Sequence, residues 1–286
     1  MKEVADRLAL GTAQLGMPYG IANRTGKPDL AAARSIVDTA WDAGIRYFDT
    51  AQAYGDSESV LGQALENRDA AIITKLPPKL ENVSQHLRES LRRLGRATIW
   101  GVLLHREEHL EQWNGPVGQA LTSAKADGLV AHIGASVYSP EKALKALEMK
   151  SLDALQVPAN IFDRRMSRAG VFRKAAERGV TIFVRSVYLQ GLALLPAERV
   201  AKFGTAAVAA YEQFCKEHDL DRRRFALQYA LGFAPDPVLV IGAETPEQVA
   251  ANCAEATEAA ESLRQEWDHR WPDDLEPLVN PSLWPS

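Results

Sequence analysis

The chain holds only two cysteines, Cys215 and Cys253, far apart and both in helical patterns. No disulfide framework organises it, and a reducing, cytoplasmic setting is expected. No apolar run approaches the roughly eighteen residues that a membrane span needs. The opening residues, Met1-Lys2-Glu3-Val4-Ala5-Asp6, carry acids and lack the apolar stretch of a secretory leader. A basic surplus is missing too: 33 Lys and Arg stand against 37 Asp and Glu, a formal net charge of −4, which argues against nucleic acid as a partner. The one basic run, Arg222-Arg223-Arg224, reads as a solvated helix face. Glycine signatures for phosphate are also absent. Gly11-Thr12-Ala13-Gln14-Leu15-Gly16 has neither the GxGxxG spacing nor a following Gly-Lys-Ser/Thr.

What is present is a regular alternation along 286 residues, 46% of them hydrophobic, enough for one sizeable core. Short β-forming apolar runs fall at 8–12, 45–49, 71–75, 99–105, 130–136, 152–157, 180–186 and 238–242. Amphipathic helical patterns separate them, at 29–43, 57–66, 81–94, 117–126, 140–147, 168–178, 206–217 and 246–264, with an extra one at 222–232. Eight strand–helix pairs predict an α/β fold, a (β/α)8 TIM barrel in a single domain over 1–286. A doubly wound sheet is the rival, and the missing glycine fingerprint speaks against it. The proline-rich 271–286 reads as an extended C-terminal tail.

In such a barrel the loops at the carboxyl ends of the strands build the active site. The polar residues there are Asp49, Lys75, His105, Ser136, Gln156 and Ser186, with Gly242 on the last strand. Singly each has a plain structural reading; Asp49 alone is a helix cap. Together with Tyr54, five positions after Asp49, they suit carbonyl chemistry. A phenol's pKa near ~10 is too high for proton exchange at neutral pH. An ammonium from Lys75, held by Asp49, is expected to lower it, and His105 to orient the substrate oxygen.

These segments resemble the aldo-keto reductase family: Gly11 to Gly16, Phe48-Asp49-Thr50-Ala51 through Tyr54-Gly55, Thr74-Lys75, Leu103-Leu104-His105, Gly134-Ala135-Ser136, Leu155-Gln156-Val157, and Ile241-Gly242 through Gln248 to Asn252. The resemblance implies an NADP(H)- or NAD(H)-dependent barrel oxidoreductase with Tyr54 as acid/base and Asp49, Lys75 and His105 as its partners. It implies Ser136 and Gln156 at the nicotinamide carboxamide, and residues 242–252, including Gly242, Glu244, Gln248 and Asn252, at the adenosine end.

The chain departs from the family at several points. Val137 replaces an Asn that contacts the carboxamide, and Arg185 stands where many members stack a Tyr on the nicotinamide. A guanidinium plane can stack as well, so Arg185 is the expected replacement, Tyr188 the alternative, with Ser186 beside it in the cofactor group. The last loop offers Glu244 and no basic residue, which suits a free ribose hydroxyl better than a phosphate. Tyr19, Arg106, Tyr188 and Trp284 are candidate substrate walls, fitting a small carbonyl, polyol or sugar. Two other functions compete. His105-Arg106-Glu107-Glu108-His109 matches the H-x-x-E-H pattern of a zinc peptidase, although a strand precedes it; no metal site is expected. A slow, cofactor-binding regulatory subunit of the same fold is the second. Oligomeric state is not assigned.

Overall fold

The computed structural model describes residues 4–233, 237–257, 259–271 and 276–284. Eight parallel strands, β1 (Leu8–Gly11), β2 (Tyr47–Asp49), β3 (Ala71–Lys75), β4 (Ile99–Leu104), β5 (Val130–Ser136), β6 (Ala154–Pro158), β7 (Thr181–Arg185) and β8 (Val238–Gly242), pair in sequence order. The barrel closes where β8 returns to β1, with Gly242 opposite Gly11. This is the (β/α)8 barrel expected from the alternation.

Side-chain alternation explains both its packing and its chemistry. Leu8, Leu10, Ile72, Val102, Leu104, Ile182 and Val184 point outward into a core shared with the surrounding helices. Ala9, Ile73, Leu103, Ala154 and Phe183 fill the barrel, with Tyr47 and Val240 packed against them. Two positions further, on the same inner face, stand Gly11, Asp49, Lys75, Gln156, Arg185 and Gly242, with His105 just past the end of β4. Apolar residues thus plug the barrel while the next inward residue reaches its carboxyl mouth.

Helix boundaries follow local chemistry. Asp29 accepts from the Ala32 amide to start Leu30–Asp42, and Asn82 from the Gln85 amide to start Val83–Leu94. The expected helix at 168–178 divides at Gly170 into Arg165–Arg168 and Val171–Arg178. The single helix expected over 246–264 is two, Pro246–Glu255 and Glu261–Arg270. Gln228 binds the chain at the break: its side-chain N–H groups donate to Glu255 O and Thr257 Oγ1, and its backbone carbonyl accepts from the Ala259 amide.

The C-terminal segment also differs from an extended tail. Among the described residues it forms a helical turn, Glu276–Val279, and a 3-10 turn, Pro281–Leu283, with Leu278 and Val279 buried. They join a second core with Ile161, Phe162, Leu189, Leu192, Tyr211, Phe214 and Trp267. Among the described residues no helix is long and apolar enough to cross a membrane.

Candidate active site

At the base of the barrel mouth lies a buried ion pair. Lys75 is 1% exposed and Asp49 4%, too dry for either charge to stand alone. The Lys75 ammonium donates to both Asp49 oxygens at 2.8 and 2.7 Å and to Thr50 O at 2.9 Å, so all three of its N–H groups are used. Gln156 Nε2 donates to Asp49 Oδ1 at 2.8 Å, and Gln156 Oε1 accepts from Ser136 Oγ at 3.4 Å. The residue expected at the carboxamide therefore also holds the Asp49 carboxylate.

Tyr54 sits over this pair, with the Lys75 nitrogen 5.0 Å from its ring centroid. The His105 ring meets it edge-on, centroids 5.7 Å apart. The loop carrying Tyr54 is pinned from below: Thr12 Oγ1 donates to Asp49 O, Ser57 Oγ to Thr12 O, and Thr50 Oγ1 lies 3.1 Å from Ser57 Oγ. Gly16 packs against it so closely that a Cβ there would lie 1.8 Å from Tyr54 O.

The electrostatics correct one expectation. Tyr54 is not pulled toward phenolate; its pKa is raised, first by burial and then by Asp49. The Lys75 charge is spent on Asp49, so the pair offers the phenol no net positive field, and Arg185 is the cation that opposes the rise. Burial lowers the Lys75 pKa against the pull of Asp49. Burial first, then Lys75 and Arg185, pushes His105 down to about 3, leaving a neutral imidazole whose Nδ1 is buried without a protein partner.

Asp49, Tyr54 and His105 line one cavity of about 290 Å³, together with Tyr19, Ser136, Gln156, Ser186, Tyr188, Gly242, Glu244, Gln248 and Asn252. Away from Tyr54 its wall is a polar network. Tyr188 donates its hydroxyl to Asn252 Oδ1 at 2.8 Å, Arg223 donates to the same oxygen at 3.1 Å, and Gln248 Oε1 accepts from the Glu244 amide at 2.8 Å. Arg223 also pairs with Glu255 at 2.7 Å. Arg223 was hidden in a basic run on a helix, with no motif to mark it. Arg185 lines the cavity with its guanidinium carbon 3.8 Å from the Tyr138 ring centroid, so one face of its plane is already covered. Tyr138, two positions past a strand-end serine, is another wall residue the sequence did not mark, as are Gln190, Gly191 and Leu194.

Two expected wall residues lie elsewhere. Trp284 donates its indole N–H to Leu278 O and packs on the second core, outside the cavity wall. Arg106 is exposed and outside the cavity wall. The H-x-x-E-H segment has the wrong geometry for a metal: His105 directly follows β4, and His109 lies on a 3-10 helix, Glu107–Gln112, so the two histidines share no α-helical face. Glu107 instead accepts from the Tyr138 and Ser139 amides. Among the described residues no three His, Cys, Asp or Glu side chains gather as a metal cluster.

A model described as the aldo/keto reductase family matches residues 7–264. Pyridoxal 4-dehydrogenase of Microbacterium luteolum is 26% identical, the match covering 86% of this chain and 87% of that protein. D-threo-aldose 1-dehydrogenase of a Pseudomonas species is also 26% identical, over 85% and 90%. Among solved structures, an aldo-keto reductase of Bacillus halodurans in its holo form superposes with a TM-score of 0.78 at 24% identity, covering 96% and 95% of the two chains. A glycerol dehydrogenase of Gluconobacter oxydans gives 0.75 at 22%, over 96% and 94%; both likenesses concern the fold. With nearly the whole chain matched, the protein belongs to the aldo/keto reductase family and is an oxidoreductase.

Proposed function

We propose that this oxidoreductase interconverts a small carbonyl compound and its alcohol with a nicotinamide cofactor, and that Tyr54 is the general acid and base. The observation that carries the reading is the Lys75–Asp49 pair, with Gln156 on Asp49, beneath a phenol that meets His105 edge-on in one cavity. The cavity suits the cofactor in shape and donors. It runs from Tyr54 to Asn252, and Gly242 leaves no room for a side chain: a Cβ there would meet the Gln14 amide at 2.4 Å. Ser136 and Gln156 would hold the carboxamide, Gln156 through Oε1 and the one N–H not given to Asp49. Ser186, Gly242, Glu244, Gln248 and Asn252, with Arg223, would hold the rest. When bound, the nicotinamide supplies or accepts the hydride at the carbonyl carbon.

The protein's own part is proton movement and orientation. Burial and Asp49 favour the neutral phenol, against the pull of Arg185; in reduction Tyr54 gives its proton to the carbonyl oxygen and becomes phenolate, and in oxidation that phenolate takes the proton back from the alcohol. His105, neutral, hydrogen-bonds the same oxygen and orients it without adding charge. Glu244 favours a free ribose hydroxyl and Arg223 a phosphate, so NADH and NADPH preference is read by comparing kcat/KM for the two. Pyridoxal and aldoses, the substrates in the relatives' names, are the first carbonyls to try.

Tyr54→Phe tests the mechanism. Turnover should fall about 10²–10⁴-fold, the usual worth of a positioned acid or base, with cofactor Kd nearly unchanged. A variant as active as the parent refutes the role of Tyr54. A parent as slow as the variant supports the regulatory-subunit reading instead.

A further inference from the structure

Arg185 is a cation without a counter-ion. It is half-buried at the inner carboxyl end of β7, in the cavity that holds Tyr54 and His105. Its protein partners are Ser186 Oγ at 3.2 Å and Val137 O at 3.3 Å, through one N–H each. Three of its five donors are left over, and no carboxylate pairs with it among the described residues. Other cavity-side and half-buried arginines are matched: Arg223 with Glu255, Arg165 with Asp163, Arg164 with Asp268. Arg46, Arg96, Arg178 and Arg264 also lack a carboxylate, but the first three point their N–H groups at the carbonyl ends of helices, where the dipole is negative, and Arg264 lies over the Tyr229 ring, outside the cavity wall. Arg185 has no such field. Of the acids around the site, Asp49 is saturated by Lys75 and Gln156, and Glu107 is bound to the Tyr138 and Ser139 amides.

The guanidinium is also held in place. Glu107 binds the amides of Tyr138 and Ser139 at 2.6 and 3.0 Å, fixing the loop whose Tyr138 ring supports the guanidinium face. A pre-set, uncompensated fork of donors beside a proton donor is built to receive an anion, and a planar carboxylate or a phosphate fits it bidentately.

We propose that Arg185 is a substrate-selecting residue, and that the carbonyl compound this protein acts on carries a second, anionic group, carboxylate or phosphate, which Arg185 binds while Tyr54 and His105 hold the carbonyl oxygen. This rests on the carbonyl reaction proposed above. It assigns Arg185 to the substrate, whereas stacking on the nicotinamide would need no charge.

The test is a ratio, which cancels effects common to both compounds. kcat/KM is measured for succinate semialdehyde against butanal and for glyceraldehyde 3-phosphate against glyceraldehyde, in the parent, Arg185→Gln and Arg185→Lys. The expected result is an anionic preference of at least about tenfold in one pair, lost in Arg185→Gln and partly restored in Arg185→Lys. Equal rates in both pairs overturn the proposal. So does a ratio unchanged in Arg185→Gln while cofactor Kd, followed by tryptophan fluorescence, rises about tenfold, because the anion read is then the cofactor's own phosphate. If no compound is turned over, binding of butyrate and butanamide to the cofactor-loaded protein decides separately. Butyrate bound by the parent and lost in Arg185→Gln keeps the assignment while the carbonyl reaction fails; no butyrate binding sinks the assignment.

Discussion

Lys75 has its whole hydrogen-bonding capacity turned on Asp49 and Thr50 O, so removing either charge strands the other in a dry place. Lys75→Met should cost about 3–5 kcal/mol of folding stability, measured by urea denaturation, as well as activity. The double variant with Asp49→Asn should recover about 1–3 kcal/mol of that, since no charge is then left unpaired. His105 predicts a pH dependence of defined sign. Its folded pKa is held at about 3, below the ordinary 6.5. Between those values the unfolded chain takes up a proton that the native site refuses. Its contribution is therefore complete above 6.5 and is lost as pH falls toward 3. Urea midpoints should drop through that window, less steeply in His105→Gln. Reduction should show no histidine titration between about pH 5 and 8. The identities behind these effects were legible from sequence because each ends an apolar strand. Their electrical balance was not. The Lys75–Asp49 pair was expected, but not that burial and Asp49 would outweigh the cations at Tyr54, and Gln156 gives no local sign that it binds Asp49.

The element that sets Tyr54 is a backbone contact between two loops. A Cβ on Gly16 would fall 1.8 Å from Tyr54 O and 2.6 Å from Ser57 N, while Gly55, at φ +59, faces Gly16 O in return. Gly16→Ala must push the Tyr54 loop outward. It should cost about 1–3 kcal/mol of stability and about 10²-fold in kcat, the penalty of an ångström of misplacement. Gly128→Ala is the control: at φ +72 with nothing within 4 Å of a Cβ, it should show backbone strain of about 1–2 kcal/mol and unchanged kcat. At this scale the sequence was most readable in the strands. All eight strands announced themselves as short apolar runs between helical patterns. The helix over 246–264 misled because its alanine-rich middle has good helix propensity throughout. Gln228, about thirty residues upstream, binds the chain at the break, and no local pattern records that contact.

Across the whole molecule, two cores divide the work. The barrel and its helices carry Asp49, Lys75 and His105, while the second core carries the loops after β6 and β7, which supply Tyr188, Gln190, Gly191 and Leu194 to the cavity wall. Trp267 is the keystone of that second core. It is fully buried, touches Phe162, Tyr211 and Phe214 edge-on, and donates its indole N–H to Ile161 O at 2.7 Å. From Ile161 the connection to the site is short, because the neighbouring Asn160 holds Ser186 O at 3.1 Å. Trp267 lies just beyond the stretch matched by the family model, where the sequence suggested little more than the approach to a tail. Trp267→Ala should lose about 3–5 kcal/mol in denaturation, and cofactor Kd should rise several-fold at temperatures where the variant is still folded. Trp267→Phe keeps most of the packing and loses mainly the hydrogen bond, about 1 kcal/mol. A Trp267→Ala protein that is destabilised yet binds cofactor as the parent does would show that the second core stabilises the chain without positioning the cavity wall.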